Sequence, residues 1–450
     1  MQSPTLSKSR SGAPLKKTGL VRFACLVMFA LVWASLVWAP LVWAPVVWAA
    51  DDPRKPSMGA DEAVGTQYHI RLEMLPEPTL GKMVSNRAIV VPRPSGAWLR
   101  VPTGFEASLV AEGLDGPRAL AVAADGSIFV TEPTAGRITR LQDSDKDGVA
   151  ETRGEYARGF HLPSGISISG GKLYIADERA VWLLGSAVGK TVAPTRQPVT
   201  RAGAFGDTGG HWTRMLTFSP DGQSFYVSVG SVGNLDEEAA PRATVQRFDM
   251  VQGEQTLFAS GLRNPIGLAF QPGSPRLFTV VSERDGYGDA LVPDYMTELR
   301  PGGFYGWPYA YLGAHPDPSY GDIRPDLVAR TLEPDVLFAA HSSAVDLAFN
   351  AGGNFPSDYT GDAFVSFHGS WNATTPTGYK IVRVPFEEGR PVGTYETFVA
   401  GFWTEGDTPA RVWGRPTGLV FDNDGSLLIA EDASGTIWRV RYVGDKGGDQ

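Results

Sequence analysis

PTGLVFDNDGSLLIAED, residues 416–432, reads as two apolar runs joined by an Asp424-Gly425 turn and led by a proline. Asp-Gly suits the positive φ of a tight hairpin, so the stretch predicts a strand, a turn and a second strand. The same form recurs upstream. PRALAVAADGSIFVTE covers 117–132, PSGISISGGKLYIAD 163–177, TRMLTFSPDGQSFYVSVG 213–230, PIGLAFQPGSPRLFTVVSE 265–283 and AVDLAFNAGGNFPSDYTGDAFVSFHG 344–369. The leading prolines 117, 163, 265 and 416 are 46, 102 and 151 residues apart. These gaps are near one, two and three times a period of about fifty, which is blade-sized. The units at 213 and 344 lack the proline but keep the form. Six such units predict an all-β chain folded as a six-bladed β-propeller over residues 99–444, with a central channel as its natural site. The last strand, near 437–442, is expected to pair with one near 105–110 and close the ring. A β-sandwich is the other all-β arrangement, and the regular period disfavours it.

The composition agrees. Gly 53, Pro 34 and 11% aromatic residues suit many short strands joined by tight turns. Residues 1–50 hold five bases and no acid, so the remaining chain carries 35 bases against 49 acids, a net −14. A body so acidic argues against sequence-independent nucleic-acid binding. Cys25 is the single cysteine, so residues 51–450 can form no disulfide among themselves.

Residues 1–22 are basic, and 23–50 are apolar and uncharged, with LVWA at 31–34, 36–39 and 41–44 and VVWA at 46–49. A basic segment before an apolar one is the form of an export signal. The run exceeds the usual ~7–15 residues of a signal core and reaches the roughly 20 that span a bilayer. Residues 1–50 are therefore expected to be a signal peptide or membrane anchor. The body is then exported, periplasmic or extracellular, with membrane contact only through 23–50 if these are retained. Residues 51–98 read as a Pro-rich extension that wraps the main domain or links it to the membrane, and 445–450 as a tail.

His211 stands in DTGGHWTRMLTF, where glycines let an imidazole face the channel uncrowded. Its ordinary pKa near 6.5 suits a general base. Arg118, Arg263 and Arg415 each flank a leading proline, a recurrence that suggests a cationic ring inside an acidic protein. DSDKDGVAE places Asp143, Asp145 and Asp147 at the spacing of a calcium loop, although Gly154 stands where its bidentate Glu belongs. Glu151 is the substitute ligand, and a solvated acidic turn is the equal alternative.

GLRNP (261–265), ERDGYGDALVPDY (283–295) and GGFYGWPY (302–309) resemble motifs of the glucose/sorbosone dehydrogenase family, above all its sorbosone and pyranose dehydrogenase branch. The resemblance implies an enzyme using pyrroloquinoline quinone (PQQ) and calcium. It would oxidise a sugar, polyol or aldehyde by hydride transfer to the quinone and pass electrons to an unidentified acceptor. His211 would take the hydroxyl proton, and Arg263, beside Asn264, would polarise the quinone. PQQ is a flat tricarboxylate, for which Arg118, Arg284, Arg415 and His368 are the candidate partners and Trp307, Trp371 and Trp413 the candidate walls. The resemblance puts the catalytic calcium on main-chain oxygens around Glu283 and Gly286, with Asp285 as a candidate carboxylate. Ser231 stands where soluble glucose dehydrogenases carry an Asp that orients the His, leaving Ser231 or Asn234 to hold the imidazole. Ala373 likewise departs from the family's GSWN-plus-Arg pattern. A calcium-dependent lactonase and a non-catalytic binding propeller remain the alternatives.

Overall fold

Each of the six repeats builds the innermost strand of one sheet: Leu120–Val122, Gly165–Ser169, Leu216–Phe218, Pro265–Phe270, Ala344–Phe349 and Pro416–Phe421. The computed structural model describes residues 63–81 and 83–444. The expected leader with Cys25, the start of the extension and the 445–450 tail lie outside the described residues. Among the described residues six sheets have four or five strands, and each opens as a meander from its innermost strand outward. The innermost strands pack one on the next in chain order, and the last packs on the first. That cyclic order is a β-propeller. Among the described residues helix is confined to Pro325–Val328 and two three-residue turns, and none is long and apolar enough to cross a membrane.

The repeats show why the inner strands can converge. A Cβ on Gly267 would lie 2.7 Å from the Asp346 Cα, and one on Gly418 would lie 2.6 Å from the Arg118 carbonyl oxygen. The glycine of each Pro-x-Gly thus lets the next inner strand approach as backbone against backbone. Farther out, Phe and Trp side chains fill the space between sheets; Trp413 and Trp438 are wholly buried and pack with centroids 5.8 Å apart.

The sixth sheet joins the two ends of the ring. Phe105–Ala111 lies antiparallel to Thr436–Tyr442, from Phe105 opposite Tyr442 to Ala111 opposite Ile437. The expected closure is therefore present, one residue longer at each inner end. The extension covers edges, which removes open pairing sites. Gln67–Tyr68 adds to the fifth sheet, and Ile89–Val90 runs parallel to Arg411–Val412. Between them Thr79 N–H donates to the Tyr287 carbonyl (3.0 Å) and Gly81 N–H to that of Gly286 (3.1 Å). The Asn86 amide donates to the carbonyls of Ala373, Thr374 and Asp407.

Antiparallel order sorts the connections into two ends. Turns between strands one and two, and between three and four, leave at one end; these include Asp125-Gly126, Asp221-Gly222 and Asp424-Gly425. Turns between strands two and three leave at the other end, together with the links from sheet to sheet. His211, Arg118, Arg263 and Arg415 lie in links, and residues 231, 283–294, 368 and 432 lie in two-to-three turns. Topology alone therefore gathers them at one end.

Candidate functional site

His211 is held by the backbone of a neighbouring turn. Its N–H donates to the Ser231 carbonyl (3.0 Å), and its Nδ1 lies 2.8 Å from that carbonyl and 3.0 Å from the Ser231 hydroxyl. A carbonyl only accepts, and the hydroxyl spends its proton on the Gly233 carbonyl at 2.6 Å. Nδ1 therefore carries the imidazole proton, and Nε2 keeps a lone pair with no hydrogen-bond partner among the described residues. Burial, and then the nearby Arg263 guanidinium, push the imidazole down to about 3, so it is neutral at ordinary pH. Of the two partners the sequence offered, Ser231 holds the ring. Asn234 does not: its side chain exchanges hydrogen bonds with the Asp285 backbone and accepts from Arg263.

Gly230 brings the next residues close. A Cβ there would meet the Asn264 Oδ1 at 2.5 Å and the His211 Cβ at 2.6 Å. The Asn264 Oδ1 is buried without a protein donor, a polar atom left for something else to satisfy. Arg263 is 7% exposed. It donates to Asn234 and to the Ser282 carbonyl, and pairs with Asp285 at 3.3 Å. Asp285 is a hub. It also accepts from Asn372 at 2.5 Å and faces the Nδ1 of His341 at 3.3 Å. Burial would raise its carboxyl, but His341, Arg263 and Asn372 outweigh that and hold it low. Burial would lower His341, and its bonds to Asp285 and the Gly288 carbonyl outweigh that and raise it.

A second cluster gathers Arg118, His368, Arg415 and Asp432. The His368 Nε2 donates to Asp432 at 2.9 Å, and Arg118 approaches the same carboxylate at 3.7 Å. Arg415 donates to the carbonyls of His368 and Gly369, each at 3.1 Å. Arg118 also lies 5.4 Å over the Trp212 ring, which ties this cluster to the His211 link. Burial opposes ionisation of Asp432, but His368, Arg118 and Arg415 outweigh it and hold the carboxyl at about 2. Burial chiefly, with the two guanidiniums against the pull of Asp432, pushes His368 down to about 4. Arg118 pairs with Asp432 and Arg415 acts on it only through space, so the two guanidiniums exceed that carboxylate in charge.

Other expected residues fall elsewhere. Arg284 is wholly buried and engages Glu283 (3.1 Å), Asp317 (2.7 Å) and the carbonyls of Pro308 and Ala310. Its guanidinium is spent inside the fold, so it is not a carboxylate clamp for a ligand. Trp413 and Trp307 are core, with indole N–H groups on the carbonyls of Gly401 and Asn234. Trp371, 37% exposed, is the one of the three candidate walls not spent in the core. Asp285 is committed to cations and an amide, which argues against its being a metal ligand. One Glu283 carboxylate oxygen accepts from Arg284, and the other is buried without a partner. The Gly286 carbonyl keeps one of its two lone pairs beyond Gly81 N–H. Asp143, Asp145, Asp147 and Glu151 bring carboxylate oxygens within 4.8 Å of one another, but in a three-to-four turn at the opposite end.

Asp432, His341 and Asn372 were missed from the sequence. A signal existed only beside the first: an acid ends or follows the second strand of four repeats, at Glu132, Asp177, Glu283 and Glu431, and Asp432 comes one residue after the last of them. For His341 and Asn372 there was none, because only the folded ring sets them beside Asp285.

Known proteins resemble this chain in sequence and fold. A family model described as TrAA12-like matches residues 99–291 and 327–443. The chain is 26% identical over 424 residues to a pyrroloquinoline quinone-dependent sugar dehydrogenase of Hypocrea jecorina, covering 81% of this chain and 93% of that one. Its fold is similar to the holo form of the pyranose dehydrogenase PQQ domain from Coprinopsis cinerea (TM-score 0.65, 21% identity, 79% of this chain and 100% of that one). It is equally similar to the calcium structure of a Trichoderma reesei family AA12 carbohydrate-active enzyme (TM-score 0.65, 22% identity, 79% and 99%). At such identities the two structures speak for the fold, whereas the family match spans most of the described chain: this protein belongs to the TrAA12-like family.

Proposed function

We propose that the chain is an exported six-bladed PQQ- and calcium-dependent dehydrogenase that oxidises a sugar or related polyol. One observation carries the reading: an imidazole with a free Nε2 lies at the same end of the ring as a cationic pair, Arg118 and Arg415, that exceeds its carboxylate partner. The residues suit the cofactor. A tricarboxylate needs cations in a dry site; Arg118 and Arg263 are largely buried and Arg415 is partly so. The orphaned Asn264 Oδ1 adds a polar contact, and the amide reverses if a donor is needed. Calcium fits carbonyl oxygens of residues 283–286 and the free Glu283 oxygen, since it prefers hard oxygen ligands. When bound, PQQ would supply the two-electron acceptor and calcium its polarisation.

In this reading the protein's own part is to hold and move the proton and to place charge. His211 Nε2 accepts the substrate hydroxyl proton, while Nδ1–H stays anchored on the Ser231 carbonyl, which stabilises the imidazolium as it forms. Arg263 is fixed by Asp285 and Asn234, so it offers positive charge without reorganising. His341 and Asn372 hold Asp285, and so hold Arg263. Export rests on the basic-then-apolar leader, and a reporter fused after residue 51 should be active only if it reaches the outside. A structural calcium at Asp143, Asp145 and Asp147 is a separate proposal, checked by calcium titration of the triple Asn variant. The decisive test of the main reading is to add PQQ and calcium to the purified protein, record the absorption spectrum and assay aldoses with a dye acceptor. Failure to bind PQQ would overturn it and leave a binding propeller.

A further inference from the structure

Residues 209–211, which present the base, are clamped from outside by three buried charged side chains. The segment contains two successive glycines at positive φ, +105° and +66°. Such a backbone has little stiffness of its own. Packing nevertheless requires glycine at 210, because a Cβ there would lie 2.4 Å from the Val232 Cα. Stiffness has to come from neighbours. Arg242 donates to the Gly209 carbonyl at 3.0 Å, to that of Asp207, and to that of Gly230 at 3.2 Å. Arg214 donates to the His211 carbonyl at 2.7 Å. Glu178, from the two-to-three turn of the second sheet, accepts the Gly209 N–H with Oε1. It is 2% exposed, and its Oε2 lies 3.1 Å from the Nδ1 of His161, whose side chain is 39% exposed. A carboxylate kept so deep, with one oxygen given to a backbone N–H, constrains that N–H strongly.

We propose that Glu178 is a positioning residue for His211: by holding Gly209 N–H it fixes the turn that aims Nε2. The catalytic consequence rests on the dehydrogenase reading, but the positional claim does not. Two substitutions separate reach from charge. E178Q keeps an acceptor at the same length and loses the charge, whereas E178D keeps the charge and withdraws the acceptor. The first readout is the ring resonance of His211 in histidine-labelled protein, identified by its loss in H211A. Wild type and E178Q should give one narrow signal, and E178D a broadened or divided one. In the reconstituted enzyme E178D should lose about ten- to a hundredfold in kcat, as small displacements of reacting groups do, with KM changed much less and E178Q close to wild type. H161A should leave the His211 signal unmoved. An unchanged signal in E178D, equal damage in E178Q, or an H161A effect matching E178D would each overturn the proposal. Should E178D not fold, amide exchange in wild type decides: Gly209 N–H should exchange slowly, and exchange at the rate of an open turn would refute the clamp. Loss of dehydrogenase activity in wild type would count against the function alone, since the ring signal would still report the clamp.

Discussion

His211, the base of the proposed reaction, has no carboxylate behind it. A carbonyl orients the ring as well as an Asp would, but adds no full charge to support the imidazolium. H211A should therefore lower kcat by about 10²–10⁴ and leave PQQ affinity, followed by absorption titration, nearly intact. The pH dependence follows from the depressed pKa of about 3 against an ordinary 6.5. Between these values the unfolded chain binds the proton and the native one does not, so this group costs stability on acidification below 6.5. The neutral base persists throughout that range. The kcat/KM of the reconstituted enzyme should stay level from pH 8 to about 5; an acid limb near 6.5 would contradict the burial of the ring. The arginines separate by partner. Arg118→Ala or Arg415→Ala should weaken PQQ binding about ten- to a hundredfold with little change in Tm. Arg284→Ala should do the reverse. It strands Glu283 and Asp317 in the interior and should cost about 3–5 kcal/mol of stability, read by denaturant unfolding of the cofactor-free protein.

At the scale of strands and turns, Asp346 is a buried acid on the inner strand Ala344–Phe349. It accepts the N–H groups of Leu347 and Leu419, both at 2.9 Å, and so bridges the fifth and sixth sheets. Burial chiefly pushes it up to about 7 against an ordinary 3.8. Here the native state holds the proton that the unfolded chain releases, so stability falls as pH rises from 3.8 through 7. Asp346→Asn removes that loss but keeps only one of the two acceptors, so one of the N–H groups of Leu347 and Leu419 loses its partner at every pH. Its Tm relative to wild type should therefore be lowest at pH 5.5 and rise by several degrees by pH 8.5; equal differences at both would mean the carboxyl is not held protonated. Sequence legibility divides at this scale too. The hairpins were readable because Asp-Gly and Pro-x-Gly are local demands of turn and close approach, and each repeat did yield an innermost strand. Links bearing His211, Arg263 and Arg415 were readable for the same reason, since their place is fixed by the repeat. Arg284 looked alike in sequence, yet its partner Asp317 comes 33 residues later, and nothing local says which arginine is neutralised. Asp432, His341 and Asn372 were hidden because pairing across sheets sets their role.

The described ring is closed by one seam between an early strand and the last one. Phe105–Ala111 and Thr436–Tyr442 are the only described strands that join the first sheet's approach to the last sheet, and Trp438 sits under that seam. Its ring meets Trp98 edge-on at 5.3 Å and Trp413 at 5.8 Å, Arg93 lies 5.4 Å over it, and its N–H donates to the Thr436 hydroxyl. A large aromatic removed from such a site typically costs about 3–5 kcal/mol. In an open array that loss would be local, because each repeat leans only on its neighbours. In a closed ring the sixth sheet touches both the fifth and the first, so weakening it releases both. Trp438→Ala should therefore lower the Tm of the entire molecule in a single transition. Far-UV circular dichroism and hydrogen exchange at Ile138 in the first sheet and Phe278 in the fourth should move together. If the sixth sheet melts first while Ile138 and Phe278 keep wild-type protection, the seam is a local latch and the six sheets do not unfold as one ring.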